Sequence, residues 1–319
     1  MKVQMYSFLH ADLQLVEKEL EAAIQSDYSL LSTASLHLLQ AGGKRIRPVL
    51  VLLAGKFGNY DIERMKHVAV ALELIHMASL VHDDVIDDAN LRRGRETIKA
   101  KWSNRFAMYT GDYIFARSLE AMSHLNDPMA HRVLARTIVE VCRGEIEQIK
   151  DKYCFEQTLR TYLRRIKRKT ALLIAVSCQL GAIAAGAAKE IVDRLYLFGY
   201  YVGMSFQITD DILDFIGTKE QLGKPAGSDL LQGNVTLPAL IAMHDARAKE
   251  KITAVTPHTS EEEMREIIAL IKQTGAIDES YALSDRYLQK AFSVLETLPK
   301  NKARTALYEV AKYIGKRKF

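Results

Sequence analysis

Apolar residues recur at intervals of three and four along most of the chain. Three runs illustrate this spacing: Leu13-Val16-Leu20-Ile24, Val68-Leu72-Ile75-Ala78 and Leu134-Ile138-Val141. Such spacing is typical of α-helices, and no sustained run alternates with the period of two that indicates a strand. No Ser- or Pro-rich linker divides the chain. The pattern predicts an all-α, single-domain protein over residues 1–319, with a less critical helical periphery after about Thr253.

The composition agrees with long helices. Of the 319 residues only six are proline, a residue that costs about 3 kcal/mol inside a helix. The hydrophobic fraction of 48% excludes a disordered chain. The net charge of +5 suits an anionic small substrate as well as nucleic acid, so charge alone does not decide between them. Cys142, Cys154 and Cys178 show no CxxC spacing, which argues against disulfides or zinc and favours a reducing cytoplasm.

One segment raises the question of a membrane span. Residues Thr170 to Ala188 are uncharged over 19 positions, which is long enough to cross a bilayer. The segment is rich in Ala and Gly and contains Ser177 and Gln179, so its hydrophobicity is weak. We interpret it as a buried helix of a soluble bundle, with a transmembrane helix as the alternative. The N-terminus has no apolar region of a signal peptide.

Two acidic clusters of the same form carry the first chemical signal. They are Asp83, Asp84 and Asp87, and, further along the chain, Asp210, Asp211 and Asp214. On a helix, residues four apart lie about 40° apart in azimuth and one turn apart in height. Crowded carboxylates repel one another, and a divalent cation relieves this repulsion. Oxygen-only ligands suit Mg²⁺, which prefers to share its coordination with a substrate phosphate.

The alternative for each cluster is a solvated acidic helix end. Both clusters, however, follow apolar runs, Ala78 to Val81 and Met204 to Ile208, where a solvated face is not expected. Two similar helices that face each other across a cavity would explain the duplication. The pair of clusters therefore favours metal binding.

Basic residues accompany both clusters. The segment Gly42 to Pro48 places Lys44, Arg45 and Arg47 around a turn that leads into a helix. The remaining candidates for phosphate contact are Arg92, Arg93, Lys169 with Thr170, and Lys224. Arg offers forked donors to phosphate oxygens, and Lys offers a point charge. The nearby Arg160, Arg164, Arg165 and Lys167 are spread around a helix and are interpreted as solvated surface charge.

Two further polar residues share a helix face with the acidic clusters. His76 precedes Asp83 by two helical turns, and Gln207 lies one turn before Asp211. A lone histidine on an apolar helix is more often a core residue, but this alignment favours substrate contact. An apolar cavity with acidic walls and a basic rim fits a ligand with a diphosphate head and a hydrocarbon body. Nucleotides fit poorly, because no GxxxxGK[ST] or strand-linked GxGxxG occurs.

With these motifs in place, the sequence resembles the trans-isoprenyl diphosphate synthases. The family hallmarks are GGKRxRP, a DDxxD followed by RRG, a KT pair, and a second DDxxD preceded by FQ. Here they occupy Gly42–Pro48, Asp83–Asp87 with Arg92-Arg93-Gly94, Lys169-Thr170, and Phe206-Gln207 with Asp210–Asp214. Longer stretches, including IHMASLVHDDVIDD and LGKPAGSDLLQGNVTLP, resemble the large catalytic component of the two-component heptaprenyl diphosphate synthases, a subclass of this family.

The resemblance implies a fold and a set of roles. The fold would be an all-α bundle around a deep central cavity. A cluster of two or three Mg²⁺ ions would be held by Asp83, Asp84, Asp87, Asp210 and Asp214, and the catalytic set would also include Asp211 and Lys169. The allylic diphosphate would contact Arg92, Lys169, Thr170, Gln207 and Lys224. Isopentenyl diphosphate would contact Lys44, Arg47, His76 and Arg93. The small residues Ala78 and Ser79 would leave room for a long product.

The implied activity is elongation of an allylic diphosphate, such as farnesyl diphosphate, with several isopentenyl diphosphates to heptaprenyl diphosphate for a menaquinone side chain. The implied partner is a small non-catalytic subunit, with a homodimer as the state of the isolated chain and transient membrane association for product release. The alternatives are a hexaprenyl to octaprenyl synthase, a class I terpene cyclase and a non-catalytic prenyl-diphosphate-binding subunit. The second DDxxD and the Gly43–Pro48 segment argue against the cyclase, and the intact aspartates argue against an inactive subunit. A nucleic-acid partner is not expected.

Overall fold

α-Helices make up nearly all of the regular structure, which confirms the predicted fold class. The protein is described by a computed structural model over residues 3–218 and 225–315. A 3-10 helix, Val3–Leu9, comes first, and a π-helical turn, Lys167–Ala171, joins α8 to α9. The α-helices have these bounds: α1 (His10–Ala23), α2 (Ser29–Gln40), α3 (Ile46–Gly55), α4 (Ile62–Ile86), α5 (Ile98–Lys101), α6 (Asn104–Ser123), α7 (Pro128–Lys150), α8 (Leu159–Ile166), α9 (Leu172–Ala184), α10 (Lys189–Ile216), α11 (Ser228–Leu231), α12 (Leu237–Ala242), α13 (Ala246–Thr253), α14 (Glu261–Gln273), α15 (Ala276–Glu296) and α16 (Lys302–Gly315).

The chain folds into two compact units. The first contains the described residues up to Leu134 together with Val176–Tyr196 and Leu298–Leu307. The second contains Ala135–Ala175, Leu197–Thr297 and the described residues from Tyr308 onward. That the whole chain acts as a single domain therefore stays a prediction.

In the first unit α4 is the central helix, and it packs against α1, α3 and α6. The helix begins after Asp61, whose carboxylate accepts a hydrogen bond from the backbone N–H of Glu63 at 3.0 Å. This bond satisfies one of the amides that a helix start leaves without a partner. Between Met65 and Val81 most side chains of α4 are buried. The apolar pattern is therefore dense here, because neighbouring helices cover α4 on several sides.

In the second unit the later half of α10 packs with α8 and α12. Tyr162, Met204, Ile208 and Leu237 belong to one buried cluster. A second cluster joins the end of α10 to α14, and it includes Phe215, Leu230, Met264, Ile267 and Ile271. The prediction of a less critical periphery is wrong for α14, because its apolar face is part of this core.

One detail differs from the sequence-based expectations, and the interpretation of the uncharged stretch as a buried helix is confirmed. Arg165, expected among the solvated cations, is 5% exposed and donates to the backbone oxygen of Val235 at 2.5 Å and to Gln157 Oε1 at 2.6 Å. The uncharged stretch from Thr170 falls on α9, whose 13 residues are too few for a bilayer. Across the described part of the chain, no helix has both the length and the hydropathy of a membrane span.

Candidate active site

The first acidic segment lies at the C-terminal end of α4. The helix ends at Ile86, and the C-cap Asp87 donates its backbone N–H to the carbonyl of Asp83 at 2.8 Å. Asp83 and Asp87 are partly exposed, whereas Asp84 is buried. Arg92 donates from both Nε and Nη2 to Asp84 Oδ1 at 2.7 Å. Burial raises the pKa of Asp84, and the charge of Arg92 opposes that shift. Asp84 is thus the ion-pair partner of Arg92, and Asp83 and Asp87 are the more accessible carboxylates of this segment.

A short β-hairpin carries the two arginines that follow this segment. The strands β1 (Leu91–Arg92) and β2 (Arg95–Glu96) pair antiparallel, with Arg92 opposite Arg95. At the turn, Arg93 has φ +52° and Gly94 has φ +75°. A type I′ turn needs positive φ at both positions, and glycine adopts it without strain. The hairpin was not predicted, although the glycine at the second turn position was a signal for it.

Several guanidinium groups surround His76 of α4. The pKa of His76 lies well below its usual value, chiefly because the imidazole is buried. The positive charges of Arg47, Arg93, Arg92 and Arg45 lower it further, in that order. The imidazole is therefore neutral at pH 7 and offers one donor and one acceptor. Burial also lowers the pKa of Arg47 to about 10, which leaves its guanidinium charged at neutral pH. Three of the four residues predicted to bind isopentenyl diphosphate thus lie in one basic cluster.

Lys44, the fourth residue of that set, lies at the edge of the cluster. It is exposed and lines a cavity of about 200 Å³ together with His10, Glu17 and Arg45. The guanidinium of Arg93 approaches the same loop, because a Cβ built on Gly43 would lie 2.9 Å from Arg93 Nη1. The hairpin and the basic loop, residues 42–45, are therefore neighbours within the first unit.

Lys169 and Thr170 occupy the π-helical turn between α8 and α9. Such turns are rare and occur frequently at functional sites. Lys169 Nζ lies 3.4 Å from Glu145 Oε2 of α7. α10 passes close to the turn at Gly203, where a Cβ would lie 2.5 Å from a backbone atom of the turn. Any larger residue at this position would push the turn away from α10.

A chain of hydrogen bonds joins this turn to the second acidic segment. Thr170 Oγ1 donates to Gln207 Oε1 at 2.5 Å, and Gln207 Nε2 donates to Asp211 Oδ1 at 2.8 Å. The hydroxyl of Tyr162 donates to Asp211 Oδ2 at 2.6 Å. Asp211 is buried, and burial raises its pKa to about 7 despite these two donors. Asp211 therefore holds Gln207 in place, and both of its carboxylate oxygens are engaged.

The two remaining aspartates of this segment differ in exposure. Asp210 is exposed. Asp214 is buried, and it accepts hydrogen bonds from Ser228 Oγ at 3.1 Å and from the backbone N–H of Asp229 at 3.2 Å. Asp214 thus anchors the start of α11. Lys224, predicted to contact the allylic diphosphate, lies outside the described residues.

The exposure and the partners of the aspartates bear on whether Mg²⁺ could bind to them. Across residues 3–218 and 225–315, no three His, Cys, Asp or Glu side chains converge in a ready-made metal site. Asp83, Asp87 and Asp210 remain at least partly accessible, and their donors are all oxygens. Mg²⁺ commonly binds through one or two carboxylates and completes its coordination with water and substrate phosphate. Each accessible aspartate offers the oxygen donors that such an ion takes, and Asp84 and Asp214 differ from these aspartates in being buried.

The two residues predicted to govern product length lie on α4 before the acidic segment. Ala78 is 2% exposed, and the hydroxyl of Ser79 donates to the backbone oxygen of His76 at 2.8 Å. The hydroxyl of Ser79 is therefore satisfied within its own helix. Both side chains are small, as the prediction requires.

Several residues that shape these contacts were missed at the level of sequence. They are Glu73, which lies among the arginines, Glu145, which pairs with Lys169, and Tyr162, which holds Asp211. Glu73 gave a signal, since it is a carboxylate three residues before His76 in an otherwise apolar run. Tyr162 gave none, because its partner is 49 residues away along the chain.

Comparison of the sequence with known proteins identifies the family of this chain. The sequence model of the polyprenyl synthetase family matches residues 28–271. The chain is 74% identical to heptaprenyl diphosphate synthase component 2 of Geobacillus stearothermophilus, over 99% of this chain and 98% of that one.

Two solved structures have the same fold. One is heptaprenyl diphosphate synthase from Staphylococcus aureus, with TM-score 0.94 and 46% identity, covering 97% of this chain and 98% of that one. The other is a polyprenyl synthase from Caulobacter crescentus complexed with calcium and isoprenyl diphosphate, with TM-score 0.94 and 33% identity, covering 98% and 97%. This chain therefore belongs to the polyprenyl synthetase family of trans-prenyltransferases.

Proposed function

We propose that this chain extends an allylic diphosphate, with farnesyl diphosphate as starter, by successive condensation with isopentenyl diphosphate to all-trans heptaprenyl diphosphate. The product would serve as the side chain of menaquinone, and the chain would work in the cytoplasm as a single polyprenyl synthase domain. One observation carries the chemistry: α4 bears both the neutral His76, surrounded by arginines, and the acidic segment at its end. The 74% identity to a heptaprenyl diphosphate synthase component supports the product length.

The basic residues would divide between two diphosphates. Arg47, His76 and Arg93 would bind isopentenyl diphosphate, with Lys44 at the edge of the same site. Arg92, Lys169, Thr170 and Gln207, together with Lys224, would bind the allylic diphosphate. Forked guanidinium donors and a neutral imidazole N–H suit phosphate oxygens. Arg92 and Lys169 are paired with carboxylates in the free protein, so substrate phosphate would take the place of those carboxylates.

Asp83, Asp87 and Asp210 are the proposed ligands of a cluster of two or three Mg²⁺ ions, and Asp84 and Asp214 would join them only by leaving their present partners. When bound, Mg²⁺ neutralises charge on the diphosphate leaving group. The calcium and isoprenyl diphosphate bound to the Caulobacter crescentus protein support a divalent-ion site in this family.

The chain's own residues would then act on charge and water. The lysine and arginines stabilise negative charge as pyrophosphate departs from the allylic carbon. The double bond of isopentenyl diphosphate attacks that carbon, and the proton lost afterwards passes to pyrophosphate. Apolar side chains exclude water, which would otherwise capture the carbocation.

The decisive experiment is product analysis with purified chain. Together with a co-purified small partner subunit, it would be incubated with Mg²⁺, farnesyl diphosphate and labelled isopentenyl diphosphate, and the dephosphorylated products would be separated by chromatography. We expect a heptaprenyl product, which Asp83→Asn abolishes. Asp88→Asn, five residues further along, is the matched control, because Asp88 is exposed and pairs with Lys99 outside the proposed ligand set. A hexaprenyl or octaprenyl product would correct the length, and absence of any prenyl product with a partner present would refute the proposal.

We also propose that a small, separately encoded subunit completes the enzyme. The support is the name of the 74% identical relative, which is one component of a synthase. The isolated chain would form a homodimer of low activity, and the complete enzyme would associate transiently with membranes during product release. Full heptaprenyl synthesis by the isolated chain would contradict this proposal, whereas activation by a co-expressed small subunit would support it.

A further inference from the structure

Arg45 immediately precedes α3, and its largely buried guanidinium is engaged by acceptors from other helices. Its Nε and Nη2 donate to the two carboxylate oxygens of Glu17 on α1, at 3.0 and 2.8 Å. Nη1 donates to Glu73 Oε1 on α4 at 3.2 Å, and Nη2 also reaches the backbone oxygen of Leu39 at 3.2 Å. One side chain thus ties three helices to the start of α3, and it makes four hydrogen bonds to protein acceptors.

The backbone of Arg45 indicates that this arrangement is enforced. Arg45 has φ +46° and ψ +38°, a left-handed conformation that residues with a side chain rarely adopt. Such a conformation persists where surrounding contacts hold it. Here the fork to Glu17 and the bond to Glu73 hold it, and the residue lies between Lys44 and Arg47. The conformation of Arg45 is therefore fixed at the point where the chain enters α3, two residues before Arg47.

Glu73 is the acidic counterpart of this cluster. It is 4% exposed, and its charge acts on Arg45, Arg47 and Arg93. Within the described chain, Glu73 Oε2 and Arg47 Nε are both buried without a hydrogen-bond partner. The carboxylate of Glu73 and the guanidinium of Arg47 have opposite charges, yet no hydrogen bond joins these two atoms. Arg45 instead donates a hydrogen bond to Oε1, the other carboxylate oxygen of Glu73. Buried polar atoms without partners are costly, so their separation needs a cause and a use.

We propose that Arg45 is a positioning residue that occupies Glu73 and so keeps the Arg47 guanidinium available for the diphosphate of the homoallylic substrate. This inference rests on the proposed function of the Arg47 cluster. Without Arg45, Glu73 would turn to Arg47 and form a closed ion pair. An incoming diphosphate would then have to displace a carboxylate from Arg47, which weakens binding.

The test is a double-mutant cycle on Arg45 and Glu73. Arg45→Met should raise the KM for isopentenyl diphosphate about tenfold, the equivalent of losing one charge-assisted hydrogen bond, and leave the KM for farnesyl diphosphate within about twofold. In the Glu73→Gln background the competing carboxylate is absent, so Arg45→Met should raise that KM by less than about threefold. If Arg45→Met does not fold, Arg45→Lys replaces it, since a point charge cannot hold both carboxylates, and the same rescue is expected.

Arg117→Met is the matched control. Arg117 also ties α1 to another helix, because it donates to the backbone oxygen of Ala23 at 2.5 Å and pairs with Glu120, yet it has no part in the basic cluster. It should lower the melting temperature without changing either KM.

Three outcomes would overturn the inference. They are an unchanged KM in Arg45→Met, an equal rise for both substrates, and additive effects without rescue by Glu73→Gln. Calorimetric binding of inorganic pyrophosphate to the same variants needs no turnover. A wild-type chain that binds pyrophosphate but forms no prenyl product with the partner present would refute the proposed function, while the pyrophosphate cycle would still report on Arg45.

Discussion

Removal of the Tyr162 hydroxyl tests the buried hydrogen bond that holds Asp211. Tyr162 is fully buried, Asp211 is 3% exposed, and their oxygens are 2.6 Å apart. Tyr162→Phe removes one oxygen and keeps the ring, so packing around the ring changes little. A hydrogen bond to a charged group contributes about 1.5–3 kcal/mol, and a buried acceptor left without a donor costs about 1–3 kcal/mol. These quantities describe the same loss, so we expect the free energy of unfolding to fall by about 2–3 kcal/mol.

The assay is differential scanning calorimetry without metal, at a pH above 7 where Asp211 is ionised and at one scan rate for all variants. For a chain of 319 residues the expected loss corresponds to a fall in melting temperature of about 3–5 °C. Tyr308→Phe is the control, because Tyr308 is 43% exposed and packs against Phe292 through its ring. Its melting temperature should change by less than about 2 °C.

A second background separates the hydrogen bond from packing. In Asp211→Asn the acceptor is neutral, so Tyr162→Phe should cost only about 1 kcal/mol there. An equal loss in both backgrounds would refute the reasoning, because the cost would then arise from the ring and not from the bond to the carboxylate. A loss below about 0.5 kcal/mol in the wild-type background would refute it as well.

Three further predictions concern metal binding, pH and product length. Asp83→Ala and Asp210→Ala should each reduce turnover about a hundredfold or more. Neither should lower the melting temperature, since each removes an accessible carboxylate. Normal turnover of either variant at saturating Mg²⁺ would contradict this prediction. The pKa of His67 lies below its usual 6.5, chiefly because the ring is buried and also because of the charges of His124 and Lys66. The charges of Glu19 and Glu63 oppose this shift. The unfolded chain therefore takes up this proton first, so the free energy of unfolding should fall as pH drops through about 6.5. His67→Gln should flatten that part of a melting-temperature profile. Arg117 and Glu120 also face this pocket. Ala78→Tyr adds a ring at a buried position of α4 and should shorten the product, as chromatography of dephosphorylated chains would show; an unchanged length would mean that the hydrocarbon does not pass Ala78.

Local sequence determined the fold class and the chemical groups of the candidate site. Helical periodicity is visible within single segments, because one face of a helix repeats every 3.6 residues whatever lies across from it. The segments Gly42–Pro48 and Asp83–Asp87 carry their charges close together along the chain, so their affinity for phosphate and metal could be inferred before any fold was known. Both segments lie within residues 28–271, which match the polyprenyl synthetase family.

The tertiary structure decided which of these charges are available. Asp84 and Asp83 are adjacent in sequence, yet only Asp84 is buried against Arg92. Arg45 and Arg47 share one motif, but the ion pairs with Glu17 and Glu73, from two other helices, are formed by Arg45. Tyr162 reaches Asp211 across 49 residues, and α14 joins a core that its polar sequence did not suggest. Periodicity and motif spacing describe one segment at a time, whereas burial and ion pairing depend on which segments meet, because a charge loses its water only where another element covers it.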